Sequence, residues 1–399
     1  MTITRVVLIG GGYAGVLAAN RLSQRSDLDI TLVNPRPMFV ERIRLHQLVA
    51  GNDDAVEDYA DILTDRAELV IDSAQHIDVA GRRLRLASGA SLGYDYLVYA
   101  VGSNAPVPAT VPGAAEHAWP LGELESAQRL AERLAQMPLQ APIVVVGGGL
   151  TGIEAASEWA EGGRNVTLVT GVLGPSLAND GRRSVTKRLR KLGVSIVENA
   201  AVIEVASNRI TLRDGTELPS AVTVWTAGFG VPTLATDSGL STDPLGRLLT
   251  DETLTSIDDP SIIAAGDAAS PSAQPLRMSC QFAMPLASHA ADTLLARLDG
   301  KEPAYLNPAS VGQCISLGRH AGTIQMSHFN DEALPLHIGG RLAATIKESV
   351  CKGTLSFLAK EARKPGSYFW PRGGKRQKRY QLHRPPARLR GTQNVATDG

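Results

Sequence analysis

The run VVLIGGGYAG, residues 6–15, decides the architecture. Four apolar residues lead into a glycine cluster in which Gly10, Gly12 and Gly15 stand in G-x-G-x-x-G spacing. The residues that follow, VLAANRLSQR, read as a helix. A buried strand before the glycines and a helix after them turn a weak pattern into a dinucleotide-binding fingerprint. Gly10 allows the tight turn, Gly12 lets backbone N–H groups approach a pyrophosphate, and Gly15 lets the helix pack close to the strand. Tyr13 and Ala14 open that helix, whose N-terminus brings positive potential to bound phosphates.

The same device returns at residues 143–152, IVVVGGGLTG, with Gly147, Gly149 and Gly152 in the same spacing and Leu150 and Thr151 between them. A helix, IEAASEWAEGG, follows. Two such units, each after a strand and before a helix, indicate two nucleotide-binding domains.

Residues 28–33, LDITLV, read as a second parallel strand. An acid that holds ribose hydroxyls belongs about 20 residues past the last glycine. Asn34 occupies that place, followed by Pro35 and Arg36. Asn34 can hydrogen-bond a ribose hydroxyl without adding charge, or simply turn the chain before proline. Arg42, Arg44 and His46 either face a phosphate or flavin edge or line a solvated helix face. Residues 69–86 alternate around Ala80-Gly81 and read as a hairpin. Residues 94–102, YDYLVYAVG, read as a buried strand whose small end, Ala100 to Gly102, lies against a ligand. After the strand at 165–169 no acid stands at Thr170 or Gly171, and Arg182 and Arg183 further on would suit a 2′-phosphate, favouring NADPH over NADH. The alternative is two exposed arginines on a helix. Residues 262–269, IIAAGDAA, run into Gly266-Asp267, either a turn or a carboxylate that accepts a ribityl hydroxyl. Residues 276–298 run into a helix whose start aims N–H groups at an electron-rich ring edge.

A hairpin is read at 312–325 and an amphipathic helix at 341–360, with Leu342, Ile346, Val350 and Phe357 on its apolar side and Gly353 interrupting it. After Glu361 no acid appears until Asp398, while arginines and lysines accumulate. That tail either docks on anionic lipid or is solvated.

Composition narrows the class. The formal net charge of the 399 residues is zero, so no global field favours nucleic acid. Hydrophobic residues make up 43%, as in an ordinary globular core. The expected setting is cytoplasmic, with no leader at the N-terminus and peripheral contact with the inner face of a membrane through the tail. Cys280, Cys314 and Cys351 are far apart and form no CxxC pair, which argues against a redox-active dithiol.

In their order, LIGGGYAG, YLVYAVGS, VVVGGGLTGIE, VWTAGFG and IIAAGDAA make the chain resemble the two-dinucleotide-binding-domain flavoproteins of the pyridine nucleotide-disulfide oxidoreductase superfamily. Within them it resembles the type II NADH dehydrogenase and apoptosis-inducing-factor-like group. The resemblance implies an α/β protein with two Rossmann-like three-layer domains, the second inserted in the first, plus a C-terminal α+β extension. It places an FAD-binding domain at 1–110 and 236–305, an NAD(P)H-binding domain at 111–235, the extension at 306–361 and the basic tail at 362–399. It implies FAD at Gly10, Gly12, Gly15, Asn34 and Asp267, and NAD(P)H at Gly147, Gly149, Gly152 and Glu154. Glu154 would tune or gate the approach of nicotinamide or acceptor. Gln281, Phe282 and Ala283 would shape the acceptor side.

The implied reaction passes hydride from nicotinamide C4 to flavin N5 and then electrons to a quinone or small aromatic acceptor. A reductase for a protein carrier such as ferredoxin and an NAD(P)H-sensing flavoprotein are the alternatives, and a homodimer is admitted. The A-Q-x-A-x-Q stretch of type II dehydrogenases is matched by Cys280-Gln281-Phe282-Ala283-Met284-Pro285, which keeps the first glutamine and replaces the second with Pro285.

Overall fold

The computed structural model describes residues 3–374 and residue 376. Strand β1 (Thr4–Ile9) passes through the glycine turn into helix α1 (Tyr13–Leu22) and returns as β2 (Leu28–Asn34). After a short helix α2 (Leu45–Ala50) come β3 (Ala67–Ile71) and β4 (Tyr96–Tyr99). Strand β5 (Ala118–Pro120) opens a second unit. It continues with β6 (Ile143–Val146), helix α3 (Leu150–Glu161), β7 (Val166–Val169), helix α4 (Asn179–Lys191), β8 (Ser195–Val197) and β9 (Val222–Trp225). The chain then returns to the first unit with β10 (Ile262–Ala264) and helix α5 (Cys280–Leu298).

The two sheets share one plan. The first has the order β10-β4-β1-β2-β3 and the second β5-β9-β6-β7-β8, both wholly parallel. The second sheet is thus inserted between strands of the first. Each central strand is buried on both faces, which explains the unbroken apolar runs in place of alternation. In β6 the side-chain period of two divides the residues between two cores. Ile143 and Val145 pack toward helix α3, and Val144 and Val146 toward an antiparallel sheet of residues 202–205, 209–212 and 217–219. This makes three layers. The expected hairpin at 69–86 is confined to Ala74–Asp78 and Arg83–Leu86. Residues 67–71 are instead the edge strand β3, because Ile30 to Asn34 offer them a parallel partner.

The C-terminal part is a three-stranded antiparallel sheet, β11 (Gln313–Ser316), β12 (Gly322–Ser327) and β13 (Ala333–Gly339), followed by helix α6 (Gly340–Arg363). Helix α6 runs through Gly353. The side it buries is not the apolar side read from the spacing. Ala343, Cys351, Thr354, Leu358 and Glu361 face inward, while Leu342 (62%), Val350 (45%) and Phe357 (45%) are exposed. The chain then straps back: the Trp370 indole donates to Ala309 O (2.7 Å), and Arg376 pairs with Glu252 (2.8 Å). The tail residues Lys375, Lys378, Arg379, Arg384, Arg388 and Arg390 lie outside the described residues. Among the described residues no helix is long and apolar enough to cross a membrane.

Candidate functional site

The sites build up from the two glycine turns. A Cβ on Gly10, whose φ is +104°, would lie 2.4 Å from Ala100 O, and one on Gly15 would lie 1.8 Å from Gly10 O. These two glycines are required by the protein's own backbone. Gly12 differs: nothing lies within 4 Å of its Cβ position. The second turn repeats the pattern. Gly147 (φ +124°) is closed by Thr226 Oγ1 at 2.7 Å and Gly152 by Gly147 O at 2.0 Å, whereas Gly149 faces open space. In each turn the middle glycine, at the N-cap of its helix, leaves room for a ligand against free backbone N–H groups.

Around the first turn the separate motifs converge at the C-terminal edge of the first sheet, where an α/β fold binds its ligands. Asp267 accepts from Ser103 Oγ–H (2.7 Å) and from the Ser279 N–H (3.1 Å) at the start of α5. Arg42 donates to Ser103 Oγ (3.1 Å) and to Gly122 O (2.9 Å). A Cβ on Gly266 (φ +73°) would meet the Ala14 methyl at 3.0 Å and the Ala283 methyl at 3.9 Å. So Ala14, Gly266 and Ala283, from three distant segments, stand side by side. Ala100 is buried against the turn, and Gly102 has φ +71°. Tyr13 is buried edge-on against Phe39, with centroids 5.1 Å apart. Phe282 lies under the Arg277 guanidinium (5.6 Å). The Gln281 amide is held by Gly312 O (2.6 Å) and the Val311 N–H (3.1 Å).

Other expected residues have structural partners. Asn34 accepts from the Gly11 N–H (3.0 Å) and donates to Arg36 O (2.8 Å), so it shapes the turn itself. Pro35 bridges that turn. Arg36 pairs with Glu125 (2.6 Å) and Glu123 (3.3 Å). Arg44 is buried among Glu41 (3.3 Å), Asp53 (3.3 Å) and Glu348 (3.1 Å), and so faces carboxylates and not a phosphate. In the second unit Arg183 pairs with Asp180 one turn away on α4.

Glu154 is not solvent-facing. It sits buried on α3 with one oxygen 3.1 Å from Lys347 Nζ, and it accepts from the Ser316 N–H (2.9 Å) and Oγ–H (3.1 Å). His46 Nε2 lies 3.4 Å from the same Ser316 Oγ. Burial opposes ionisation of Glu154, but Lys347, His46 and the Ser316 N–H outweigh it and hold the carboxyl below its usual range. Burial likewise works against the Lys347 ammonium, and Glu154 holds it charged. Burial pushes the His46 imidazole down to about 4. Lys347 and Ser316 escape a motif search. Their only signal is that Lys347 shares the spacing of Ala343, Cys351, Thr354 and Leu358, the inward face of α6. Among the described residues no His, Cys, Asp or Glu group forms a metal site.

Comparisons with known proteins show the family. Residues 4–293 match the family model described as pyridine nucleotide-disulphide oxidoreductase. The chain is 32% identical over 319 residues to an NADH dehydrogenase-like protein of Mycobacterium tuberculosis, covering 72% of this chain and 79% of that one. It is 29% identical over 353 residues to the type II NADH:quinone oxidoreductase of the same organism, covering 76% and 75%. In fold it is similar to the sulfide:quinone oxidoreductase of Aquifex aeolicus (TM-score 0.77, 20% identity, 95% of both chains). It is also similar in fold to NDH2 of Plasmodium falciparum (TM-score 0.75, 15% identity, 92% of this chain and 99% of that one). The chain belongs to the pyridine nucleotide-disulphide oxidoreductase family, and it is an NAD(P)H-dependent oxidoreductase of the flavoprotein kind.

Proposed function

We propose that FAD is held at the first glycine turn, that NAD(P)H is held at the second, and that the physiological acceptor is a quinone. The carrying observation is the pair of open glycines, Gly12 and Gly149, each in a turn whose three other glycines are closed by the protein's own atoms. FAD, when bound, supplies the electron-transfer chemistry between nicotinamide and acceptor. The residues supply binding and orientation. The α1 N-terminus and Gly12 take the pyrophosphate, and the Arg42–Ser103–Asp267 chain presents a fixed carboxylate to ribityl hydroxyls. Gly149, Leu150 and Thr151 take the pyrophosphate of the nicotinamide nucleotide at the start of α3. Glu154, kept ionised by Lys347, orients the approach of nicotinamide or acceptor. Gln281, Phe282 and Ala283 wall the acceptor side.

A quinone is supported by the names of the relatives and by the exposed stripe Leu342, Val350 and Phe357 on α6. Arg341, Lys352, Lys360 and Arg363 lie along the same helix. An amphipathic face of this kind lies on an anionic membrane. Steady-state turnover with a soluble quinone analogue, compared with ferredoxin, tests the acceptor. Quinone-dependent oxidation of reduced nucleotide is expected, and transfer to ferredoxin alone would reject the quinone.

A further inference from the structure

We infer that Glu198 supplies the ribose-binding carboxylate that the end of β7 lacks, and that it selects NADH over NADPH. The inference rests on the reading of the second unit as the nicotinamide nucleotide site. In such units the acid that takes the ribose hydroxyls stands at the end of the strand after the glycine turn. Here that strand is followed by Thr170, Gly171 and Val172, with no acid. The Thr170 hydroxyl is committed to its own loop, donating to Val172 O (3.0 Å).

One strand over, the missing charge is present. Strands β7 and β8 run parallel with Val169 opposite Val197. The pairing continues past both strand ends: the Thr170 N–H donates to Val197 O (2.9 Å), and the Ala200 N–H donates to Thr170 O (3.1 Å). Glu198 is therefore fixed beside Thr170, at the same edge of the sheet. Its side chain turns over the loop between β7 and α4, where Oε1 accepts from the Leu173 N–H (3.2 Å). The residue is exposed, and no cation among the described residues pairs with it. Of the two arginines on α4 that would suit a 2′-phosphate, Arg183 is turned to Asp180.

The chemistry follows from one substituent. The 2′-hydroxyl of NADH donates a hydrogen bond to a carboxylate. The 2′-phosphate of NADPH sets a second anion against it. A dianion about 5 Å from a carboxylate in water-like surroundings loses about tenfold in binding.

The test is steady-state turnover of the FAD-loaded protein with NADH and NADPH, wild type against Glu198→Gln and Glu198→Lys. Glu198→Gln keeps an acceptor for the Leu173 N–H and removes only the charge. The wild type is expected to prefer NADH. In Glu198→Gln the NADH-to-NADPH ratio of kcat/KM is expected to fall about tenfold, chiefly through a lower KM for NADPH, with FAD content unchanged. Glu198→Lys is expected to lower the ratio further. A wild-type preference for NADPH, an unchanged ratio in both variants, or an equal loss with both nucleotides, as a purely structural role of the loop would give, overturns the inference. Wild-type protein whose flavin neither nucleotide reduces overturns the functional reading beneath it.

Discussion

Glu154 and Lys347 meet as a largely buried ion pair, 3.1 Å between carboxylate oxygen and ammonium, that links helix α3 to the C-terminal helix α6. Removing one partner leaves the other charged and desolvated. Glu154→Gln and Lys347→Met are each expected to cost about 3 kcal/mol of stability, and the double variant distinctly less than the sum. Urea unfolding of all four FAD-loaded proteins measures this. Additive losses would show that the two charges do not act as a unit.

The same cluster sets an acid limit. Burial holds the His46 imidazole at about 4, while in the unfolded chain it titrates near 6.5. Between those values the unfolded state binds more protons, so stability is complete above pH 6.5 and is lost as the pH falls toward 4. Glu154, held below its ordinary 4.5, adds a further loss at lower pH. At pH 5 the His46 contribution is about 2 kcal/mol. Unfolding free energies at pH 7.5 and pH 5 should therefore differ more in wild type than in His46→Gln, by about that amount. Parallel pH dependences would contradict the assignment.

The glycine turns give a sharper separation. Gly12→Ala places a methyl in space that no protein atom claims, so the apoprotein should keep its stability while FAD affinity drops at least about tenfold. Gly149→Ala should leave FAD binding intact and weaken the nicotinamide nucleotide instead. Gly15→Ala, with its Cβ 1.8 Å from Gly10 O, should destabilise the fold itself. FAD titration, nucleotide KM and thermal melting distinguish the three. Loss of fold in Gly12→Ala would refute the open-site reading.

Membrane contact is tested on the stripe of α6. Truncation after Glu361 is unsuitable, because it removes Trp370 and Arg376, which hold the strap to Ala309 and Glu252. The double substitution Val350→Asp and Phe357→Asp is expected to reduce sedimentation with anionic vesicles at least about fivefold, with quinone-analogue turnover in solution retained. Unchanged vesicle binding, or conversion of a dimer to a monomer with no vesicle binding in wild type, would assign the stripe to another partner.

Much of this organisation was legible from residues 6–15 and 143–152. Glycine spacing after a strand reports a steric requirement, and the closed positions Gly10, Gly15, Gly147 and Gly152 meet it directly. Local patterns also located Asp267, though its partners Ser103 and Ser279 come only from the folded edge of the sheet. Helix α6 shows where such reading stops. Spacing tells that Leu342, Ile346, Val350 and Phe357 share a side, but not which side faces the core. The core selects Ala343, Cys351, Thr354 and Leu358, together with Lys347 and Glu361, because distant partners satisfy both charges. Glu361 receives Arg21 and the N–H groups of Gly366 and Tyr368. Asn34 shows the same limit: its amide also accepts from Gly11 and donates to Arg36, a turn geometry that its place in the sequence does not report.

The central claim is that one turn holds FAD and the other delivers the electrons of NAD(P)H to it. Anaerobic titration of the FAD-loaded protein with NADH, followed by visible absorbance, tests this directly. Stoichiometric bleaching of the oxidised-flavin bands is expected, and their return when a quinone analogue is added. Protein that cannot be loaded with FAD, or a flavin spectrum that neither NADH nor NADPH changes, would contradict it.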